Sequence, residues 1–313
     1  MQEVIIEAND ASQRLDKFLT KAYPNLKKSA MYKAIRNKKI KVNRKRAEFD
    51  QMLNVGDHIL LFLPPDVLEK EVRQLQPAKE LDVVYEDDDL IVMNKPAGLL
   101  AMKDQAKEQD TLNDRLLSYL AETGSYDPAK EQSFTPSIAH RLDRNTGGLV
   151  LAAKNAKTAR KLSSAIAQGL VGKYYLAITD KRPVQGRVDL YLKKEGTKAL
   201  VSARPLAGYD PARMIVKTIG QKDGRYLSKI ELLTGRFHQI RASLAFLGTP
   251  LVGDVKYKGT PNRQGYQLQA YKVDLKPAGF GQAGIIELPK SKQLTLDWPG
   301  NQEANSKRLP PKR

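Results

Sequence analysis

The stretch "HRLDRNTGGLVLAAKN", His140 to Asn155, sets one carboxylate, Asp143, between two guanidinium groups, Arg141 and Arg144, just ahead of a turn and an apolar run. Asn145, Gly147 and Gly148 make such a turn easy, because Asn and Gly tolerate backbone conformations that other residues resist. "SIAHRL" before the acid and "LVLAAK" after it are both strand-like, so Asp143 is expected at a strand end. An acid so placed is explained first by a structural salt bridge or an Asx-turn. Chemistry needs more than this one segment.

Working outward, strands outnumber helices. "LDVVYEDDDLIVMNKPAGLL", Leu81 to Leu100, gives two strand-like runs divided by an acidic turn at Glu86 to Asp89, then the loop "NKPAG". Consecutive carboxylates at a hairpin tip are expected to be solvated rather than metal-binding. "AKTARKLSSAIAQGL" is a helix, with Ala159, Leu162, Ala165 and Ile166 on one face and Gly169 as terminator. "GKYYLAIT", "GRVDLYL", "ARMIVKTIG" and "RYLSKIELL" are strands; "FHQIRASLAFLG" is a second helix, closed by Gly248. This pattern predicts an α+β domain on a mostly antiparallel sheet, spanning residues 81–300.

The charge balance points to the partner. Among 313 residues, 53 are Lys or Arg and 35 Asp or Glu, a net charge of +18 that favours a polyanion, nucleic acid first. The sequence has no cysteine, which excludes disulfides and thiol chemistry, and its three histidines, His58, His140 and His238, are too scattered for a zinc site. The opening "MQEVIIEANDASQ" lacks the features of a signal peptide, and no apolar run approaches the ~20 residues of a membrane span. The expectation is a cytoplasmic monomer, bound to no membrane and needing neither cofactor nor metal.

The basic residues concentrate near the N-terminus, in a predicted small α/β domain over residues 1–63. In "SQRLDKFLTKAY", Leu15, Phe18, Leu19 and Ala22 form a buried helical stripe and leave Arg14, Lys17 and Lys21 outside, with Ser12 as the expected N-cap. In the next helix Met31, Ala34 and Ile35 face inward, while Tyr32, Lys33 and Arg36 face out. From Lys27 to Arg46 there are ten Lys or Arg and no acid, Lys28, Lys39 and Lys41 among them. Such a run is ordinarily a solvated face. On a compact unit that also presents Tyr32, it suits a surface that tracks phosphates. "RLDKFL" followed by "IKVN" resembles the alpha-L (S-four-type) RNA-binding domain, which implies recognition of RNA by shape and backbone. The proline-bracketed, charged segment 64–80 is expected to link this domain to the larger one, and residues 301–313 to form a basic disordered tail.

One glycine pattern, "GFGQAG" at Gly279 to Gly284, has dinucleotide-fingerprint spacing but lacks the strand before it and helix after it, so a loop is expected. Three other segments belong together. Besides "HRLDRNTGG", "GKYYLA" sends Tyr174 and Tyr175 to opposite faces of a strand. "LLTGRFHQIRASL" turns from strand to helix with Arg236, His238 and Arg241, donors able to receive an anion.

Together they resemble the RluA-type family of RNA pseudouridine synthases. The matching residues are His140-Arg141-Leu142-Asp143 with Thr146 and Gly148, then Lys173, Tyr175 and Ala177. Thr234-Gly235-Arg236 and His238-Gln239-Ile240-Arg241 follow, then Gly253-Asp254 with Tyr257; "NKPAG" at Asn94 to Gly98 fits a further family loop. Departures stand at Gly147, Phe237, Ala242-Ser243 and Thr249. The resemblance implies a pseudouridine synthase fold and an isomerase that breaks the glycosidic bond of a uridine, turns the base and rejoins it through carbon. No atom is gained or lost, so no cofactor is implied. Asp143 would be the catalytic carboxylate and Arg241 its partner, with Tyr175 against the base and Arg141 pushing into the RNA stack. Arg144, Arg236 and His238 would contact RNA, and the order of domains suggests large-subunit ribosomal RNA. The acid could attack the sugar or the base, or remove a sugar proton. A hydrolase would need a second carboxylate beside Asp143, which no motif supplies. The competing reading is an RNA-binding or ribosome-assembly factor that keeps the fold without activity.

Overall fold

In the computed structural model, residues 1–70, 74–75, 77, 79–104 and 110–297 are described; the expected tail, 301–313, lies outside them. The N-terminal part is a four-stranded antiparallel sheet in the order β1-β4-β2-β3, formed by β1 (Gln2–Ile5), β2 (Ile40–Val42), β3 (Lys45–Arg46) and β4 (His58–Leu61). Helices α1 (Leu15–Ala22) and α2 (Lys28–Arg36) pack on it through the apolar positions expected from their spacing. Leu15, Phe18, Leu19, Met31, Ala34 and Ile35 share one core with Ile40, Val42, Ile59 and Leu61. Arg14, not Ser12, precedes the first helical residue, and its side chain makes no cap; Ser12 instead takes a left-handed φ of 57° while its N–H bonds the Leu53 carbonyl. The proline-bracketed segment begins with one helical turn, α3 (Pro65–Leu68), whose Leu68 is buried in this small core.

The larger part is an eleven-stranded sheet, with helices α4 (Leu112–Glu122), α5 (Ala156–Ala167) and α6 (Gln239–Phe246). Its strands are β5 (Val83–Glu86), β6 (Leu90–Lys95), β7 (Ser137–Ile138), β8 (Gly147–Ala153), β9 (Gly172–Thr179), β10 (Gly186–Glu195), β11 (Lys198–Ser202), β12 (Asp210–Lys222), β13 (Arg225–Leu232), β14 (Leu268–Asp274) and β15 (Ile285–Glu287). The main path runs β11-β10-β12-β13-β9-β14-β8-β6-β5, with β15 beside β14 and β7 beside β8. Among the described strands every pairing is antiparallel except β8 with β14. The expected α+β class and mixed, mostly antiparallel sheet are what the chain forms. Gly279 to Gly284 is a loop between β14 and β15.

Why β6 and β8 carry unbroken apolar runs is now clear. Both are covered on two faces. Ile91, Met93, Val150 and Ala152 pack into one core with α4 and α6, through Leu116, Leu117, Ile240 and Leu244. Leu90, Val92, Leu149 and Leu151 pack into a second core with Leu162 and Ala165 of α5. Helix α4 was not expected from the sequence, although Thr111 caps it, its side chain accepting the Asp114 N–H. Asn155, at the end of the opening stretch, caps α5 in the same way. Helix α6 begins at Gln239, two residues later than its pattern suggests, because His238 sits at a left-handed φ of 53°.

The two glycines of the opening stretch lie within β8 and not in the turn before it. Gly148 has φ 113° and pairs in register with Ala270 of β14; a Cβ there would stand 2.0 Å from the Ala270 carbonyl oxygen. No flexible side chain can yield, since the obstacle is backbone. Gly148→Ala is therefore expected to destabilise the protein by roughly 3 kcal/mol, through overpacking and a left-handed φ together. Denaturant unfolding would register this as a lower midpoint; an unchanged midpoint would refute the close approach.

Candidate active site

Asp143 lies in the loop between β7 and β8, at the edge of the face that carries Tyr175. Two clamps fix that loop. Gly98 N–H donates to the Arg144 carbonyl at 2.9 Å while the Arg144 side chain donates back to the Gly98 carbonyl at 3.0 Å. Beneath them the Lys95 ammonium, wholly buried, donates to the carbonyls of Pro96, Leu99 and Arg144 at 3.0, 2.7 and 2.9 Å. Burial pulls Lys95 down to about 8, and the negative charge of Asp143 works against that. The "NKPAG" loop thus holds the turn that presents the acid.

Neither flanking arginine binds Asp143. Arg141 reaches Asp104 at 3.1 Å on the rim of the cavity, and Arg144 turns back onto Gly98. The guanidinium that meets Asp143 comes from α6: Arg241 Nη1 donates to Oδ2 at 3.0 Å. Arg241 is itself held by Asp254, with Nε to Oδ2 at 2.7 Å and Nη2 to Oδ1 at 2.9 Å. Its Cζ lies 4.1 Å from the Tyr266 ring centroid and 5.3 Å from that of Tyr257. Burial opposes its charge, but Asp254, Tyr266 and Asp143 together push its pKa above the ordinary arginine value. Two carboxylates, one enclosed and one partly exposed, thus share one permanent cation.

The same oxygen of Asp143 is 3.6 Å from His238 Nε2, and His238 Nδ1 is 2.9 Å from the Tyr257 hydroxyl, which accepts the Ala199 N–H at 2.8 Å. Tyr266 hydroxyl and Thr146 hydroxyl are 3.1 Å apart. Tyr175 is buried on β9, and burial, then the charge of Asp143, raises its pKa well beyond the usual phenol value, so it stays protonated.

These groups open onto a cavity of about 630 Å³, lined in part by Arg141, Asp143, Lys173, Tyr175, Arg236 and Arg241. That volume falls in the range of small-ligand pockets. The expected residues Asp143, Tyr175, Arg241, Arg141, Arg236 and His238 converge here, and Arg144 supports from behind. Asp143 keeps 29% of its side-chain exposure, whereas Asp254 keeps 2%, with both oxygens bonded to Arg241. Asp254 is therefore enclosed against Arg241 rather than presented to a substrate; Glu231 is a further acid in the cavity lining. Sequence reasoning noted Asp254 and Tyr257 without a role and overlooked Tyr266; the Gly253-Asp254 pair was the available signal.

The N-terminal basic residues form a separate surface. Tyr32, Lys33 and Arg36 line a groove of about 360 Å³ together with Arg46 and Phe49, which had not been singled out. Lys17, Lys28 and Lys39 are exposed nearby in sequence, and Lys41 packs its ammonium 5.7 Å from the Phe62 ring. Arg14 is committed to Asp16, with bonds of 3.1 and 2.8 Å, and also lies over Phe49.

Residues 89–246 match the family model described as RNA pseudouridylate synthase, and residues 13–59 match the S4 domain. A ribosomal large subunit pseudouridine synthase C of Rickettsia conorii is 33% identical over 303 residues, covering 91% of this chain and 96% of its own. An uncharacterized RNA pseudouridine synthase of Mycoplasma capricolum is 31% identical over 287 residues, covering 88% and 92%. The solved structure of human RNA pseudouridylate synthase domain containing 4 has a TM-score of 0.53 at 21% identity over 67% of this chain and 89% of that one, a likeness of fold. With the matched region holding Asp143 and most of the cavity lining, the chain belongs to the RluA family of RNA pseudouridine synthases, isomerases that act on RNA, and carries an S4 domain at its N-terminus.

Proposed function

We propose that this protein isomerises specific uridines of large-subunit ribosomal RNA in the cytoplasm, with Asp143 as the catalytic carboxylate. The observation that carries this reading is the Asp143 carboxylate, open to the cavity yet bonded to a guanidinium that cannot lose its proton. The ribosomal substrate is supported by the printed name of the Rickettsia relative.

The chemistry follows from the charges. The Arg241 guanidinium fixes a permanent positive charge 3.0 Å from the Asp143 carboxylate, beside the space a sugar or base would fill. Tyr175 offers a neutral, apolar ring wall against which a detached base can turn without escaping. Extruding the uridine costs a few kcal/mol of stacking. Exposed Arg141 at the rim would fill the vacated step, and exposed Tyr32, Lys33, Arg36 and Lys39 would hold phosphates and offset that cost.

His238 is the neutral member of the cluster. Burial pushes it down to about 4, Arg241 and Lys256 adding to the effect and Asp143 opposing it. The neutral ring carrying its proton on Nε2 turns an N–H toward the carboxylate and accepts the Tyr257 hydroxyl at Nδ1. A base whose folded pKa is depressed takes its proton in the unfolded chain first. Stability contributed at His238 is therefore present above pH 6.5 and is lost as pH falls toward 4. Between about pH 7 and pH 5, wild type should lose about 2 kcal/mol more than His238→Gln in denaturant unfolding. Equal losses would mean that the imidazole titrates normally.

Asp143→Asn should abolish pseudouridine formation, mapped across cellular RNA with and without the protein, while RNA binding in a filter assay is retained. Full activity of that variant would refute the assignment, and an unchanged RNA map in cells lacking the protein would favour the inactive assembly factor. Neutralising Lys33, Arg36 and Lys39 to Ala should weaken RNA binding and flatten the salt dependence by about 2 in the log–log slope. An unchanged slope would move the phosphate site elsewhere.

A further inference from the structure

Beside the cavity, not lining it, stands an aromatic ring that the reaction does not use. Phe237 follows Arg236 directly, just before α6, and 37% of it is exposed. Its ring lies on that of His238, with centroids 3.8 Å apart and planes 19° from parallel. The left-handed backbone of His238 is what turns the two consecutive side chains onto one another. His238 fills one face of the Phe237 ring. The Lys194 ammonium, on β10, stands over the ring 5.0 Å from its centroid and so covers the other face.

That arrangement is a stack with a replaceable top. An exposed ammonium on an aromatic face is held weakly, and its four-carbon stem swings freely. A flat heteroaromatic ring would make the larger contact there, leaving the displaced amine beside the phosphate that the ring brings with it. Lys194 is exposed here, Arg236 beside it is shared with Asp210 at 3.7 Å, and Lys256 bonds the Thr197 carbonyl at 3.0 Å, which leaves the Lys194 ammonium to meet an anion. The lower ring of the stack touches the reacting group: His238 Nε2 is 3.6 Å from Asp143. A base on the outer face of Phe237 would lie two ring spacings, roughly 7 Å, from the imidazole plane, too far out to be the base that meets Asp143.

We propose that Phe237, with Lys194, is a stacking site for the nucleobase next to the target uridine. The inference rests on the RNA-isomerase reading for the identity of its ligand, but the stacking can be observed without catalysis. Stacking tolerates any base, so a purine neighbour, with its larger face, is the preferred occupant.

The test uses Asp143→Asn protein and short hairpin RNAs bearing one loop uridine, with the fluorescent purine 2-aminopurine placed on its 5′ or its 3′ side. One of the two probes should be quenched several-fold on binding. Phe237→Leu, which keeps apolar cover on His238 but offers no flat face, should relieve the quenching; Phe237→Trp should keep it. In the otherwise wild-type enzyme, Phe237→Leu should raise KM for RNA about tenfold, the loss falling on KM and not on kcat. A residue that merely packs on His238 would show the opposite: Leu as good as Phe in both assays, with any loss confined to thermal stability. Equal quenching with and without the Phe237→Leu substitution, or no quenching with either probe, overturns the proposal. Quenching that depends on Phe237, in a protein that forms no pseudouridine in any RNA, would leave the stack standing and remove the isomerase reading.

Discussion

The structure of the site depends on one cation shared by two acids. Arg241 gives two of its donors to Asp254 and one to Asp143, and its flat face to Tyr266. The division is unequal for a physical reason. A buried ion pair is stable only when its hydrogen bonds are complete, and Asp254, almost wholly enclosed, completes the inner side of the guanidinium. Once anchored there, Arg241 can present the remaining donor to an acid that still sees water. Arginine fits this task because its fork is rigid and its charge permanent, where a lysine would offer a flexible amine that burial can discharge.

Lys95 shows the contrast within the same site. Its ammonium is enclosed by three carbonyls from the loop 96–99 and from Arg144, and burial brings its pKa near neutrality. It holds backbone and not substrate. The turn carrying Asp143 is thereby gripped from the strand β6 below and from α6 across the cavity. Gly148 lets β8 approach β14 closely enough to bring these supports into one place, and the two-sided burial of β6 and β8 keeps the platform from shifting.

The N-terminal part adds a second kind of organisation. Asp10 accepts the Ser133 N–H at 3.0 Å and its hydroxyl at 2.6 Å, and Asn9 accepts the Ala156 N–H at the start of α5 at 3.1 Å. The S4 domain is thus fastened by directional bonds to the loop before β7 and to the helix after β8, the two elements that bracket Asp143 in sequence. Its basic face and the cavity thus belong to one bonded framework.

Much of this was legible in the residues themselves. Apolar spacing gave the buried faces of α1, α2 and α5, because a helix must turn the same side to its core whatever that core is. The alternation in "GKYYLA" placed Tyr175 and Tyr174 on opposite faces, where the two cores now hold them. Helix α4 escaped notice because Asn113, Asp114 and Arg115 interrupt its apolar stripe, and Ser12 misled because a capping side chain needs the extended backbone that its own φ denies it.

The site divides along the same line. Motif order, through the family resemblance it carries, pointed to Asp143, Tyr175 and Arg241 as one set, and all three line the same cavity. The pairing of Asp143 with Arg241 was implied by the resemblance and by nothing in the local spacing. Two arginines lie within two residues of Asp143, yet the partner is Arg241, 98 positions away. Adjacent side chains in an extended loop point apart, whereas sheet and helix packing can bring distant ones to 3.0 Å and enclose them from water. Only the tertiary structure decided which cation the acid would meet.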